Sequence, residues 1–220
     1  SGHVQSQDCY QCHSTIDENQ EFIDPSRHVD GVLDVVSDSC NACHGSDDNP
    51  APPRDTSGNT DTAAPGVGAH QAHLTATIAR PVPCSECHIV PTSIGDPGHT
   101  DSDLPAENTF SGVALTLAAA PAFNGTTCTN TYCHGAVGLS RPDGFDPPVH
   151  APDGANTEPA WTTVDGSQAA CGNCHAVPPN DPHPVVTTCG WCHIHVDGDA
   201  IGNYSFNDPS RHVNGQLDFN

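Results

Sequence analysis

The 220-residue chain has neither lysine nor methionine, and its five basic residues face 27 acidic ones, for a formal charge of -22. The five are Arg27, Arg54, Arg80, Arg141 and Arg211, scattered along the sequence. No basic stripe exists to neutralise phosphates or anionic lipid, which excludes nucleic-acid and membrane-surface binding. Long apolar runs are missing too. The most apolar stretch, Val113 to Ala120, has eight residues, against the roughly 18 that signal a membrane-spanning helix. Large apolar side chains are scarce: Leu, Ile, Val and Phe number 7, 7, 17 and 6. At about 17% of the chain, with this charge, they fall below what a self-sufficient core requires. If the chain folds, something else must supply buried apolar volume, and a cofactor is the evident candidate. The start at Ser1 without an initiator Met reads as a mature product whose secretion signal has been removed.

Cysteine and histidine, by contrast, are abundant, at 12 and 15 residues. The cysteines fall into six pairs: Cys9/Cys12, Cys40/Cys43, Cys84/Cys87, Cys128/Cys133, Cys171/Cys174 and Cys189/Cys192. The second member of every pair precedes a histidine. Five pairs read CxxCH and one, CTNTYCH, reads CxxxxCH. Six independent placements of His after Cys would occur by chance on the order of once in ten million, and no disulfide framework calls for them. Zinc ribbons use two pairs per ion with no obligatory trailing His. Thioredoxin-like chemistry uses one pair on a βαβ unit. Covalent haem c attachment needs what is present: two thiols adding to the two vinyl groups of one porphyrin, and an adjacent imidazole reaching the iron. The reading is six haem c groups, with all twelve cysteines in thioether links. The proximal ligands are His13, His44, His88, His134, His175 and His193.

Nine histidines remain for the opposite axial positions, while Met and Lys ligands are ruled out by composition. Bis-His coordination and low reduction potentials follow, since axial Met is the ligand that raises them. Two segments repeat, FIDPSRHVDGVLDV at 22 to 35 and FNDPSRHVNGQLDF at 206 to 219. Their Asp30-Gly31 and Asn214-Gly215 dipeptides are two-residue turn signals that predict small β-hairpins. The repeat nominates His28 and His212 as distal ligands. Arg27 and Arg211, each one residue earlier, are placed either to reach a haem propionate or to remain solvated. GVGAHQAHLTATIA, residues 66 to 79, reads as a short helix ended by Pro81, with His70 and His73 at i and i+3 on one face. His99 and His183 sit in loops. His3, His150 and His195 are left over, as exposed side chains, propionate partners, or alternative or intersubunit ligands.

Proline and glycine total 41 of 220 residues. That punctuation predicts a mostly irregular, coil-rich fold with short α-helices and a few small β-hairpins, wrapped around a stack of six haems. Residues 48 to 61 and 141 to 154 read as extended surface loops. The organisation reads as an N-terminal haem module with its hairpin (1–39), a central four-haem region (40–188) and a C-terminal module repeating the first (189–220), packed as one compact unit.

From residue 40 onward, the wording CNACHG, GVGAHQAHL, CSECH with PGHTD, TNTYCHGA, PAWTTVDGSQAACGNCH with PPNDPH, and RHVNGQLDF resembles the CxxxxCH/CxxCH domain of multihaem cytochromes from metal-reducing bacteria. The resemblance implies distal ligation by His70, His73, His99, His183 and His212. It also implies a secreted, extracellular or cell-surface electron carrier, with the periplasm as the alternative. Some members of the wider group polymerise into filaments with a continuous haem row. The expected function is therefore electron transfer and not catalysis, most economically as a subunit of an extracellular filament that self-associates and passes electrons to other cytochromes or external acceptors. A soluble multihaem shuttle and a reductase with one open haem are the alternatives. The intact mass of the purified protein should exceed that of the bare polypeptide by six haem groups; the unmodified polypeptide mass would remove the basis of the reading.

Overall fold

A computed structural model describes residues 9–11, 13–31, 34–35, 40–138, 153–180, 183–198, 204–216 and 218. Cys12, Arg141, and the spare histidines His3 and His150 lie outside the described residues. The chain packs as two units, one formed by Ser1–Gln71 with Val90–Glu107, the other by Ala72–Ile89 with Asn108–Asn220. Coil dominates, as the proline and glycine content dictates. The one α-helix among the described residues, α1, spans His70–Leu74. Strand β1, Ala122–Phe123, pairs antiparallel with β2, Cys128–Thr129. Strand β3, Val196–Asp197, pairs likewise with β4, Ser205–Phe206.

The scarcity of apolar side chains has its structural counterpart. Among the described residues the buried apolar set is Ala51, Val67, Ala114 and Ala119, and Val67 is the largest of them. One valine and three alanines cannot offset the conformational entropy of ordering a chain this long. The loops themselves are tied by short polar devices: Asx turns, capped 3₁₀ turns and main-chain pairs between loops.

Four motifs begin with a 3₁₀ turn, at Cys9–Gln11, Cys40–Ala42, Cys84–Glu86 and Cys189–Trp191. In three of these the histidine N–H closes back onto the first cysteine: His13, His88 and His193 donate to Cys9, Cys84 and Cys189 carbonyls, each at 2.9 Å. A turn of this pitch brings positions i, i+3 and i+4 to one side, so the first cysteine, the second cysteine and the histidine are gathered without a long helix.

The predicted helix over 66 to 79 is shorter than its pattern. Val82 N–H donates to the His73 carbonyl at 3.0 Å, and this takes an acceptor that further helical turns would have needed. The two predicted hairpins over 22 to 35 and 206 to 219 also differ. In their place stand 3₁₀ turns at Pro25–Arg27 and Pro209–Arg211. The Asp-Pro-Ser wording outweighs the turn dipeptide. Asp24 and Asp208 accept from the N–H of Ser26 and Ser210, each at 3.1 Å, with proline in the first turn. The chain then reverses through positive φ at Val29 and Gly31, and at Val213 and Gly215. Small hairpin-like pairs do occur, but at β1–β2 and β3–β4.

Residues 48 to 61 are not an extended surface loop either. Arg54 and Gly45 exchange main-chain bonds of 3.0 and 2.7 Å. Asp55, 7% exposed, accepts from Ser57 N–H, Asn59 N–H and Asn59 Nδ2. The 141 to 154 stretch falls almost wholly outside the described residues.

Within the second unit the fourth and fifth motifs touch through their main chains. Gly135, which follows the CxxxxCH histidine, has φ +74, and a Cβ there would stand 1.7 Å from the Cys174 carbonyl oxygen. A Cβ on Gly154 would stand 2.2 Å from the Asn173 carbonyl oxygen. No side chain fits at either place. The Gly135→Ala variant should therefore lose more than the ~1 kcal/mol of an ordinary glycine position with φ > 0, lowering Tm by more than about 2 to 4 °C in thermal melts monitored by absorbance. An unchanged Tm would contradict the close approach.

Candidate functional site

Three pairs of imidazoles face one another in the second unit, each joining a predicted proximal ligand to a predicted distal one. Ring centroids lie 6.1 Å apart for His73 and His134, 6.3 Å for His175 and His212, and 6.2 Å for His183 and His193. Two imidazoles bound through Nε2 to opposite sides of one metal, each at roughly 2 Å, place their centroids about 6.2 Å apart. The three pairs thus have the span that bis-His ligation requires. His195 also lies 6.0 Å from His193, two residues away along the chain.

The hydrogen bonds of the rings point the same way. Nδ1 lies against a main-chain carbonyl in His13 (Asp34, 3.2 Å), His44 (Pro50, 2.6 Å), His70 (Val67, 2.7 Å) and His99 (Ile94, 3.0 Å). The same holds for His175 (Ala176, 2.8 Å), His183 (Pro184, 2.8 Å), His193 (Asp218, 2.9 Å) and His212 (Ile78). A carbonyl can only accept, so Nδ1 carries the proton and Nε2 keeps its lone pair. Metal-bound histidines have their second nitrogen tied down in this way. All eight of these rings belong to the twelve predicted ligands.

Electrostatics add to this. Desolvation first, and the neighbouring His73 second, push the His134 imidazole down to about 4. Desolvation likewise pushes His212 down to about 4, against the opposing effect of its bond to Ile78. Both rings are neutral at physiological pH, as a ligand must be. The Cys87 thiol is pushed up to about 12, chiefly by burial and then by the nearby Cys128 and Cys133. Cys133 is pushed up to about 11 by burial, with Glu86, Arg80 and Cys174 as neighbouring charges. The third, fourth and fifth motifs therefore form one neighbourhood in the second unit.

Several residues that frame this neighbourhood carry no sequence motif of their own. Trp161 stacks on His73 with centroids 5.8 Å apart and meets Phe123 edge-on at 6.0 Å. It is held by its N–H to Thr126 at 2.8 Å and by Gln168, whose amide bonds both main-chain groups of Ala160. Glu86, between the two cysteines of the third motif, is buried, pairs with Arg80, and accepts from Ala114 N–H at 3.2 Å. Arg27 and Arg211, expected either at a propionate or in solvent, share one arrangement. Each is paired with an aspartate seven residues on, Asp34 and Asp218 respectively. The recurrence of that Arg-to-Asp spacing in both repeats was the available signal. His195 is 7% exposed, not a surface side chain, and its Nδ1 is buried without a partner, as is that of His134.

His28 is exposed, with Phe22 as its ring neighbour at 4.2 Å. His44 and His99, both in the first unit, each make the Nδ1 bond given above. Cys40 is exposed and Cys43 half-buried. In the loop after this motif Gly45 and Arg54 exchange main-chain bonds, and His44 is bonded to Pro50.

Among the described residues no three His, Cys, Asp or Glu side chains converge as they would around a single ion, and no described cysteine, Cys43 included, is joined in a disulfide. The cysteine turns, the tautomers and the facing rings fit haem c. Cys128, Cys133 and His134 with His73, Cys171, Cys174 and His175 with His212, and Cys189, Cys192 and His193 with His183 are the residues that would hold three of the groups.

Residues 127–175 match the family model described as the Geobacter CxxxxCH...CXXCH motif. The match covers the fourth and fifth motifs, Trp161, Gln168 and Gly135. A comparison with curated proteins gives no match, and a comparison with solved structures gives none. No helix among the described residues is long and apolar enough to cross a membrane.

If His183 caps the His193 iron, His183→Ala should turn one haem from low-spin to high-spin and let it bind carbon monoxide, while the others stay inert. Electron paramagnetic resonance and carbon monoxide difference spectra would show it. A variant still entirely low-spin would reassign that position, with His195 as the next imidazole in reach.

Proposed function

We propose that this chain, which carries the multihaem c-type cytochrome motif in its residues 127–175, transfers electrons outside the cytoplasm through six bis-His haem c groups. The observation that carries the reading is the facing of imidazoles in three pairs at 6.1 to 6.3 Å. A haem held by such a pair would supply one-electron redox chemistry, with both imidazoles serving as its ligands. The protein's part is to hold both rings neutral, fix their tautomers and exclude competing ligands. A reductase needs an open position for substrate, and nothing in these three pairs provides one.

Closeness of the sites supports conduction over storage. The third, fourth and fifth motifs adjoin one another, and Gly135 brings the fourth against the main chain of the fifth. At about 37 residues per haem, little protein is left to keep the groups apart.

We place the chain as a subunit of an extracellular filament. The repeat offers support. His212 faces His175, whereas His28, its counterpart in the first unit, is exposed and open to an iron of a neighbouring copy, a role also available to His3, His150 or His195. Trp191 and Ile194 are 75% and 53% exposed and, with Thr188, Val196 and Asn207, line an open groove beside the sixth motif. With a net charge of -22 before any propionate is counted, copies repel at long range. Association must then rest on coordination, apolar contact or bridging cations.

Negative-stain images of purified protein should show filaments, and the ferric protein should be low-spin throughout. Discrete particles would favour the soluble shuttle, and a substantial high-spin fraction would favour the reductase. His28→Ala should shorten or abolish the filaments; filaments of unchanged length would remove His28 from the contact.

A further inference from the structure

The two repeats contain the same bracket. In the first unit, Arg27 pairs with Asp34, and the Asp34 main-chain carbonyl lies 3.2 Å from His13 Nδ1. In the second unit, Arg211 pairs with Asp218 at 2.8 Å, and the Asp218 carbonyl lies 2.9 Å from His193 Nδ1. The Arg-to-Asp separation is seven residues in both, but the histidine-to-aspartate separation is 21 in one and 25 in the other. Local sequence spacing therefore does not dictate the second contact. It recurs although the intervening chain differs in length.

In the second unit the bracket reaches two sites. Arg211 adjoins His212 in sequence, and His212 faces His175. The turn that carries both is held at its start by Asp208, which accepts from Ser210 N–H and Oγ, and at its end by Asn214, whose Nδ2 donates to Asp218 Oδ2 at 3.0 Å. Asp218 thus has both carboxylate oxygens engaged, one by Arg211 and one by Asn214. In the first unit the residue at the position of Asn214 is Asp30, which when ionised cannot donate to a carboxylate. There Asp34 Oδ2 is buried without a partner.

We infer that Arg211 and Asp218 are positioning residues that set the proximal imidazole of the sixth haem and, through the same turn, the distal imidazole of the fifth. Arg27 and Asp34 set the first haem's proximal imidazole in the same way. The ion pair fixes the aspartate main chain, and its carbonyl fixes the orientation and basicity of the histidine ring. A ligand whose Nδ1–H is firmly bonded donates more strongly to the metal, so releasing the bracket raises the potential of the haem it serves. This inference rests on the haem reading and goes beyond it.

The test is Arg211→Gln in the haem-loaded protein, with Asp218→Asn as a second variant that keeps the carbonyl and the volume while weakening the ion pair. The readouts are haem content by pyridine haemochrome, ferric g-values by electron paramagnetic resonance, hyperfine-shifted proton signals, and redox titration. The expected result is six haems, with the signals of two displaced and the rest unmoved. One component should titrate at higher potential, and Arg211→Lys should fall between Arg211→Gln and the parent. Six haems with every signal and potential unmoved in both variants would overturn the inference while leaving the haem reading intact. A protein without covalent haem would overturn both.

Discussion

The imidazole N–H bonded to a main-chain carbonyl is the contact on which the structure turns. It is made by eight rings, from His13 to His212. Each one links a ligand to a loop that has no regular secondary structure of its own. A protein with a large apolar core can place its functional side chains on helices and strands and leave their orientation to packing. This chain buries one valine and three alanines among its described residues, so orientation must come from hydrogen bonds. The loops are in turn pinned by short devices: Asp24 and Asp208 at capped turns, Asp55 over Ser57 and Asn59, Asp153 on Ala176 and Asn180. Part of the chain's acidity thus serves its architecture, through aspartates that accept main-chain N–H bonds.

How much of this is legible in the sequence depends on the length scale of the signal. Cysteine pairs followed by histidine carry their chemistry within five to seven residues, and as motifs they are legible in full. Distal partners are legible where the sequence offers few candidates. His73, His183 and His212 face three of the proximal ligands, drawn from different parts of the chain. For Cys40, Cys43 and His44 the motif names the attachment sulfurs and the proximal ring, and no local spacing names the distal one. The hairpin expectation fails because Asp-Gly and Asn-Gly do not act apart from the Asp-Pro-Ser just before them. A side-chain cap plus a proline in the first turn commits the backbone to a 3₁₀ turn before the dipeptide is reached. For the arginines, the partner is an aspartate seven residues further along the chain. Asp55 and Glu86 are hidden for a related reason: a carboxylate in an acidic chain looks solvated until the donors around it are known.

Gly135 shows what composition hides most. Glycine in a coil-rich chain reads as punctuation, yet here its missing Cβ lets the fourth motif meet the main chain of Cys174. That close approach, the mutual influence of Cys87, Cys128 and Cys133, and the stacking of Trp161 over His73 all concentrate in the second unit. The segment that matches the CxxxxCH...CXXCH family, residues 127–175, contributes to each of these contacts. What such a motif specifies physically is then larger than two attachment sequences: it is a packing arrangement that brings neighbouring sites into register.

The comparison of the repeats carries the synthesis one step further. Both have the cap, the arginine, the histidine and the aspartate, and both tie a proximal ligand to that aspartate's carbonyl. They differ where Asn214 is replaced by Asp30 and where His212 has an imidazole opposite and His28 has a solvent-exposed face. A satisfied bracket accompanies the histidine that is used internally; a less satisfied one accompanies the histidine that is exposed. Rigidity helps a ligand whose partner is already in place, since it lowers reorganisation when the iron changes charge. A ligand that must meet a partner arriving from another molecule gains from a looser mount, because docking requires adjustment before coordination fixes it. Under the filament proposal, the asymmetry between two nearly identical segments matches that difference in task.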